Sequence, residues 1–145
     1  MLSRTAENLY WISRNMERAE TAARLLEVGA RIALLPTAEG YHSDWDSLLR
    51  ASGNADGYAA KYGGPTQENI ESYLFFDCDN PNSVVSCITR ARENGRIVRT
   101  ALTTQVWDAL NTAFQEMRQI VARRRPNQDL SMLTEWVMRH TAMLR

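Results

Sequence analysis

Apolar and small side chains in the first quarter of the chain recur at alternating three- and four-residue steps, the spacing of one helical face. The positions on this face are Leu2, Thr5, Leu9, Ile12, Met16, Ala19, Ala23, Leu26, Ala30 and Ala33. Gly29 is the first glycine, and Pro36 cannot continue a helix. The pattern therefore predicts one long helix from about Arg4 to about Leu34, with a bend near Gly29.

Between Pro36 and Pro81 this regular spacing is lost. The residues that break it are Gly40, Gly53, Gly57, Gly63, Gly64 and Pro65. Two short helices fit between the breaks, one over Asp44 to Arg50 and one after Thr66. The apolar residues of the second are Ile70, Tyr73, Leu74 and Phe76.

A second regular stretch begins at Asn80-Pro81, which is typical of an N-cap followed by proline at the first helical position. The same steps continue through Val84, Ile88, Ala91, Gly95, Val98, Leu102, Ala109, Ala113, Met117 and Ile120. We predict a second long helix from about Pro81 to about Arg124, stopped by Pro126. Gly95 inside it costs up to about 1 kcal/mol against alanine, so we expect close helix packing there.

These patterns predict an all-α protein, a helical bundle built on two long helices at about 4–34 and 81–124. Shorter helices lie between them, and one helix lies at the C-terminus. This last helix carries Leu130, Leu133, Val137 and Leu144. No pair of segments has the alternating pattern of strands. At 145 residues the chain has the size of one domain, so we predict a single α-helical domain over 1–145.

Composition narrows the classes of function. The 17 basic and 17 acidic residues cancel, so no overall field draws the chain to nucleic acid or to an anionic membrane, and neither partner is expected. No stretch approaches the roughly 20 apolar residues of a membrane span. Two cysteines, Cys78 and Cys87, form no disulfide framework or metal-binding spacing. This usage favours a reducing compartment, and we expect a cytoplasmic protein.

Motifs for metals and cofactors are weak. Glu39 and His42 match the Glu-x-x-His spacing of carboxylate-bridged metal sites, but those sites need a helix, and Gly40 lies between the two residues. We therefore assign no metal. No glycine-rich phosphate loop is present, so no nucleotide or other cofactor is expected.

Charged residues form stripes on both long helices. One edge of the first helix carries Glu17, Glu20, Arg24, Glu27 and Arg31, and another edge carries Arg14 and Arg18. On the second long helix Arg92, Arg96 and Arg99 recur at steps of four and three, which predicts three guanidinium groups on one face. Such a row can grip a carboxylate or phosphate, or it can pair with the acidic edge across a helix contact. Surface pairs within each helix are a third interpretation.

Two long blocks of sequence carry a family resemblance. The first is Leu2–Ile12 followed by Met16–Glu20, and the second is Asn80–Arg99 followed by Trp107 and Asn111. Together they resemble the bacterial alpha-E domain family, named for an all-helical fold with a recurrent Glu-Arg motif. The resemblance follows most of the chain in order.

The resemblance implies a setting for this chain. Alpha-E proteins occur beside, or fused to, circularly permuted ATP-grasp ligases and transglutaminase-like proteins in systems of peptide synthesis or modification, and no defined activity attaches to the domain. Members are usually about twice as long, so we expect this chain to be the N-terminal half of a longer protein. By position, Glu17 and Arg18 are the motif pair. The second charged block comprises Arg90, Arg92, Glu93, Asn94, Arg96 and Arg99.

Neighbouring residues on a helix point about 100° apart, so Glu17 and Arg18 must meet different partners. The candidate charged site consists of Glu17, Arg18, Arg14, Glu20, Arg92, Glu93, Arg96 and Arg99. The first hypothesis is an accessory binding module whose partner is an ATP-grasp ligase-type protein or a peptide, with a homo-oligomer as a further option. The second is an enzyme with Glu17 as general base and the arginines holding an anionic substrate. The third is an interaction domain whose charges are interhelix pairs.

Overall fold

The computed structural model describes residues 2–33, 50, 57–58, 61–62, 67–124 and 130–144. Within these ranges the regular elements are helical and no strand is present. The all-α class predicted from the sequence is confirmed. The helix predicted over 44–50 lies outside the described residues except for Arg50, and so do Glu39 and His42.

Helix α1 runs over Leu2–Ala33, close to the predicted bounds, and continues through Gly29. The buried positions of its apolar stripe are Ile12, Met16, Ala19, Ala23 and Leu26. Its first turns are different, because the side chains of Leu2 and Leu9 are 88% and 38% exposed. Among the described residues, the stripe is therefore fully buried only from Ile12 onward.

Helix α2, Gln67–Glu71, passes directly into a π-helical turn at Ser72–Phe76. The buried residues of this turn are Tyr73, Leu74, Phe75 and Phe76. Because four consecutive side chains are buried, the turn lies inside the core and not on its surface. The helix predicted after Thr66 is confirmed.

The prediction of one helix over 81–124 is wrong. The structure has α3 at Val84–Ile97, a 3-10 turn at Arg99–Ala101 and α4 at Thr104–Ala122. The chain turns a corner at Leu102 and Thr103, whose backbones are extended with ψ of 149° and 156°. Oγ1 of Thr103 then accepts a hydrogen bond from the N–H of Val106 and caps α4. The apolar spacing keeps one phase on both sides of this corner, so periodicity alone does not reveal it.

The start of α3 also differs from the prediction. Ser83, not Asn80, is the N-cap, and its Oγ accepts a hydrogen bond from the N–H of Ser86. Asn80 instead donates its side-chain amide to the carbonyl of Tyr73 at 2.8 Å. This bond ties the loop before α3 to the π-helical turn.

Helices α3 and α4 pack as an antiparallel pair around Gly95. A Cβ atom at this position would lie 2.7 Å from Cδ1 of Leu110 and 3.4 Å from Cζ3 of Trp107, both on α4. The glycine therefore allows an approach that a larger residue would obstruct. The close packing predicted at Gly95 is confirmed.

Helix α5, Leu130–Met143, completes the described bundle. Nε1 of Trp136 donates to the carboxylate of Glu116 on α4, and Nε2 of His140 lies 3.4 Å from the same carboxylate. Helix α1 packs against both α3 and α5, so it has a groove along each side. In the described part of the chain, no helix has both the length and the apolar character needed to cross a membrane.

Candidate functional site

The acidic edge of α1 forms ion pairs within its own helix. The pairs are Glu17 with Arg14 at 3.5 Å, Glu20 with Arg24 at 2.7 Å, and Glu27 with Arg31 at 2.6 Å. Exposed pairs at this spacing contribute about 0.2–0.5 kcal/mol each. These three ion pairs match the third interpretation, pairs within one helix, and not pairing with the arginines of the second long helix.

The expected row of three arginines is not formed either. The partners are Asn111 and Phe114 for Arg92, Glu93 for Arg96, and the ring of Trp107 for Arg99. Because α3 ends at Ile97, Arg99 belongs to the 3-10 turn and does not continue the helical face. The three guanidinium groups thus act separately. Arg92 connects α3 to α4, and Arg99 connects the 3-10 turn to α4.

Arg18 lines an open groove of about 390 Å³ between α1 and α3. We call this the α1–α3 groove, and its lining residues are Trp11, Asn15, Arg18, Arg90, Glu93 and Asn94. The three residues from α1 follow each other at steps of four and three, so they share one helical face. The three from α3 are spaced by three and four residues from the first, and they share the facing side.

Glu17 lies on the other side of α1. With Glu20 it lines a smaller pocket of about 100 Å³ against Thr141 and Leu144 at the end of α5. The angle of about 100° between neighbouring helical residues thus sends Glu17 and Arg18 into different grooves. The described residues include no group of three or more His, Cys, Asp or Glu side chains arranged to hold a metal ion.

Positive charge dominates the α1–α3 groove. Within the described part of the chain, neither Arg18 nor Arg90 forms an ion pair with a carboxylate. The guanidinium of Arg18 lies 5.4 Å from the ring centroid of Trp11, and that of Arg90 makes one long hydrogen bond of 3.5 Å to a backbone carbonyl. The carboxylate of Glu93 accepts hydrogen bonds from Arg96, which lower its pKa, so its charge is already matched.

The thiol of Cys87 lies within the field of both groove arginines. Burial raises the pKa of this thiol to about 11, while the positive charges of Arg90 and Arg18 act in the opposite direction. Both guanidinium groups are therefore near enough to act on one point of α3. At neutral pH the thiol stays protonated, and its complete burial indicates a packing role.

Three asparagine side chains join α1 to α3 along this groove. Nδ2 of Asn94 donates to Oδ1 of Asn8 at 3.1 Å, and Nδ2 of Asn15 donates to Oδ1 of Asn94 at 3.1 Å. We call Asn8, Asn15 and Asn94 the asparagine ladder. Asn15 is only 3% exposed, so it forms the floor of the groove.

Of the candidate residues predicted from the sequence, Arg18 and Glu93 line the α1–α3 groove. The others, which lie outside its lining, are Arg14, Glu17, Glu20, Arg92, Arg96 and Arg99. Two lining residues on α1, Trp11 and Asn15, were not among the candidate residues predicted from the sequence. The sequence did contain a signal for Asn15. Asn8 and Asn15 lie two helical turns apart on the edge of the apolar stripe, where polar side chains can meet a neighbouring helix.

The described fold is all-helical, and Arg18 of its Glu-Arg dipeptide lines a groove with other charged residues. Over residues 1–145 the chain matches the family model Alpha-E, described as a predicted alpha-helical domain with a conserved ER motif. The chain therefore belongs to the Alpha-E family, as the resemblance of its two blocks predicted, and the match spans all of it. Its single Glu-Arg dipeptide is Glu17-Arg18. Comparison with curated proteins and with solved structures gave no match.

Proposed function

We propose that this chain is a helical binding module of an ATP-grasp-linked system of peptide synthesis or modification. Its α1–α3 groove binds a ligand that carries a carboxylate. Arg18 and Arg90 provide the positive charge, and the ring of Trp11 provides an apolar wall. The partner is an ATP-grasp ligase-type protein, a peptide, or both in turn.

One observation carries the choice of ligand. Two guanidinium groups face one groove without a carboxylate partner among the described residues, while the groove's own carboxylate, Glu93, is engaged by Arg96. Guanidinium groups match the planar geometry of a carboxylate and hold it by charge-assisted hydrogen bonds. An anionic ligand supplies the partner that the described residues do not.

The assignment to an ATP-grasp-linked system has a different support. It is based on the family resemblance of the sequence around Glu17-Arg18 and Arg90–Arg99. The enzyme hypothesis lacks a comparable support, because Glu17 lies on the α5 side of α1 and is paired with Arg14. A general base must reach the group that the arginines hold. We therefore favour binding over catalysis.

The groove is tested by calorimetric titration with an N-acetylated tripeptide and with the same peptide ending in a carboxamide. We expect the acid to bind and the carboxamide to bind much more weakly. Arg18→Gln and Arg90→Gln should each weaken binding of the acid about 10- to 100-fold, because each removes a charged hydrogen-bond donor.

Arg31→Gln is the matched control for this titration. Arg31 lies on the same helix, about 20 Å from Arg18 by helical rise, and pairs with Glu27. Its substitution should leave the affinity unchanged. Equal binding of the acid and the carboxamide would contradict a carboxylate site.

The proposed link to an ATP-grasp system is tested with a circularly permuted ATP-grasp ligase from the same genome. We expect ATP consumption and peptide product only when the ligase and this chain are both present, and Arg18→Gln should reduce that activity while Arg31→Gln does not. Peptide product formed by this chain alone would contradict the binding-module proposal.

A further inference from the structure

The floor of the α1–α3 groove contains a polar atom that makes no hydrogen bond with any residue that the structure describes. Oδ1 of Asn15 is buried and accepts no hydrogen bond from any described residue. Buried amide oxygens are nearly always hydrogen-bonded, since leaving one unpaired carries a desolvation penalty. The oxygen belongs to a residue that lines the groove but has almost no exposed surface of its own, so a bound molecule reaches it once the lining side chains move aside.

The identity of this atom as an oxygen follows from the direction of the hydrogen bonds. Nδ2 of Asn8 donates to the carbonyl of Arg4 at 2.9 Å, and a carbonyl can only accept. Asn8 must therefore present its oxygen to Asn94, which then presents its own oxygen to Asn15. Asn15 has to donate its Nδ2 to the ladder, and its oxygen is left over.

Near this acceptor oxygen the groove holds two guanidinium groups that have no carboxylate partner among the described residues, and together these groups favour a particular combination of groups in the ligand. A carboxylate satisfies the arginines but cannot donate to Oδ1, so the ligand must also carry a donor. Asn15 and Arg18 are one helical turn apart on the same face, with Cβ atoms about 5–6 Å apart. In the last residue of a peptide the amide nitrogen is separated from the carboxylate carbon by two bonds only.

We infer that the groove recognises the C-terminal end of a peptide, with the terminal carboxylate between Arg18 and Arg90 and the amide N–H of the last residue donated to Oδ1 of Asn15. This inference rests on the proposed function and names its ligand class. The last side chain lies against the ring of Trp11. A ligand with a charged ammonium in place of the amide is disfavoured, because the nearby carboxylate of Glu93 is already engaged by Arg96.

The test uses two N-acetylated peptide acids that differ in one atom. In the second peptide an ester oxygen replaces the N–H of the last amide. With the wild-type chain the ester should bind on the order of tenfold more weakly, the size expected for loss of one hydrogen bond to a buried acceptor. With Asn15→Ala the two peptides should differ by less than about threefold, since the acceptor is gone.

A second measurement does not depend on the variant folding. In the complex with the wild-type chain, the last amide proton of the peptide should exchange with deuterated solvent at least about tenfold more slowly than in the free peptide, after correction for the bound fraction. Unchanged exchange would overturn the inference.

The outcomes separate the inference from the proposed function. If the ester and the amide bind alike, while the peptide acid still binds better than the carboxamide, the hydrogen bond to Asn15 is refuted and the carboxylate site stands. If the acid and the carboxamide bind alike, both proposals fail.

Discussion

At the scale of single residues, the asparagine ladder joins α1 and α3 by polar contacts beside the apolar side chains that both helices bury. Each of its two interhelical hydrogen bonds has a length of 3.1 Å, so sliding either helix along the other would break both. Neutral amides provide this specificity without the desolvation cost of buried charges. The ladder therefore sets the register of the two helices that form the groove.

Replacing Asn94, the middle residue of the asparagine ladder, should lower the free energy of unfolding. Asn94→Ala leaves Oδ1 of Asn8 and Nδ2 of Asn15 without partners, and we expect the free energy of unfolding to fall by about 2 kcal/mol. Urea denaturation followed by circular dichroism measures this difference. Gln115→Ala, which removes an exposed amide on α4, is the control and should change stability by less than about 0.5 kcal/mol. Equal losses in the two variants would contradict a stabilising ladder.

At the scale of elements, the corner between α3 and α4 decides which partners Arg92 and Arg99 contact. A straight helix through Leu102 and Thr103 would carry Arg99 along the face of Arg92 and Arg96. The corner folds α4 back onto α3, and Arg92 then finds partners on α4. The same fold brings Leu110 and Trp107 over Gly95.

The N-cap at this corner should contribute measurably to stability. Thr103→Ala removes the oxygen that accepts from the N–H of Val106, and we expect a loss of about 1 kcal/mol in the free energy of unfolding. Thr103→Ser should retain most of the stability, because serine keeps the hydroxyl. The matched control is Thr104→Ala, which removes an exposed hydroxyl one residue later. A loss as large in Thr104→Ala as in Thr103→Ala, measured by urea denaturation, would contradict the cap.

At the scale of the whole molecule, a polar cluster outside the lining of the α1–α3 groove joins separate parts of the chain. The carboxylate of Asp77 accepts hydrogen bonds from Nζ of Lys61 at 2.9 Å, from the backbone N–H of Asp79 at 2.9 Å and from the hydroxyl of Tyr62 at 3.2 Å. Burial alone would raise the pKa of Asp77, but these bonds outweigh it and lower the pKa below its usual range. The charged form is therefore the one that stabilises the fold.

Because of the Asp77 cluster, we expect the stability of the fold to depend on pH. Because the pKa of Asp77 is lower in the folded chain than in the unfolded chain, its contribution is complete above the unfolded value near 4 and is lost as the pH falls through the folded value. Asp77→Asn should thus be less stable than wild type at pH 7, and the difference in melting temperature should shrink below about pH 4. Thermal melts at a series of pH values measure it. A difference that stays constant or grows on acidification would contradict this role.

Within single helices the sequence predicted the structure closely. The apolar steps of α1 gave its bounds to within two residues where the structure describes them, and Gly95 lies at a close helix contact as expected. The prediction that Glu17 and Arg18 face different partners also agrees with their positions in separate grooves. These features depend on spacing along one helix, and 3.6 residues per turn convert that spacing directly into direction.

Contacts between helices were decided only by the tertiary structure. The ladder bonds join residues 79 and 86 positions apart, and no local spacing specifies which asparagine meets which. The corner at Leu102 and Thr103 was hidden because the apolar phase is the same on both sides of it. The sequence by itself determined the all-α class and the two directions of the Glu-Arg pair, because both follow from local helical geometry. The fold alone decided that Arg18 and Arg90 face one groove without a carboxylate partner in the described part, because that depends on which distant side chains packing brings together.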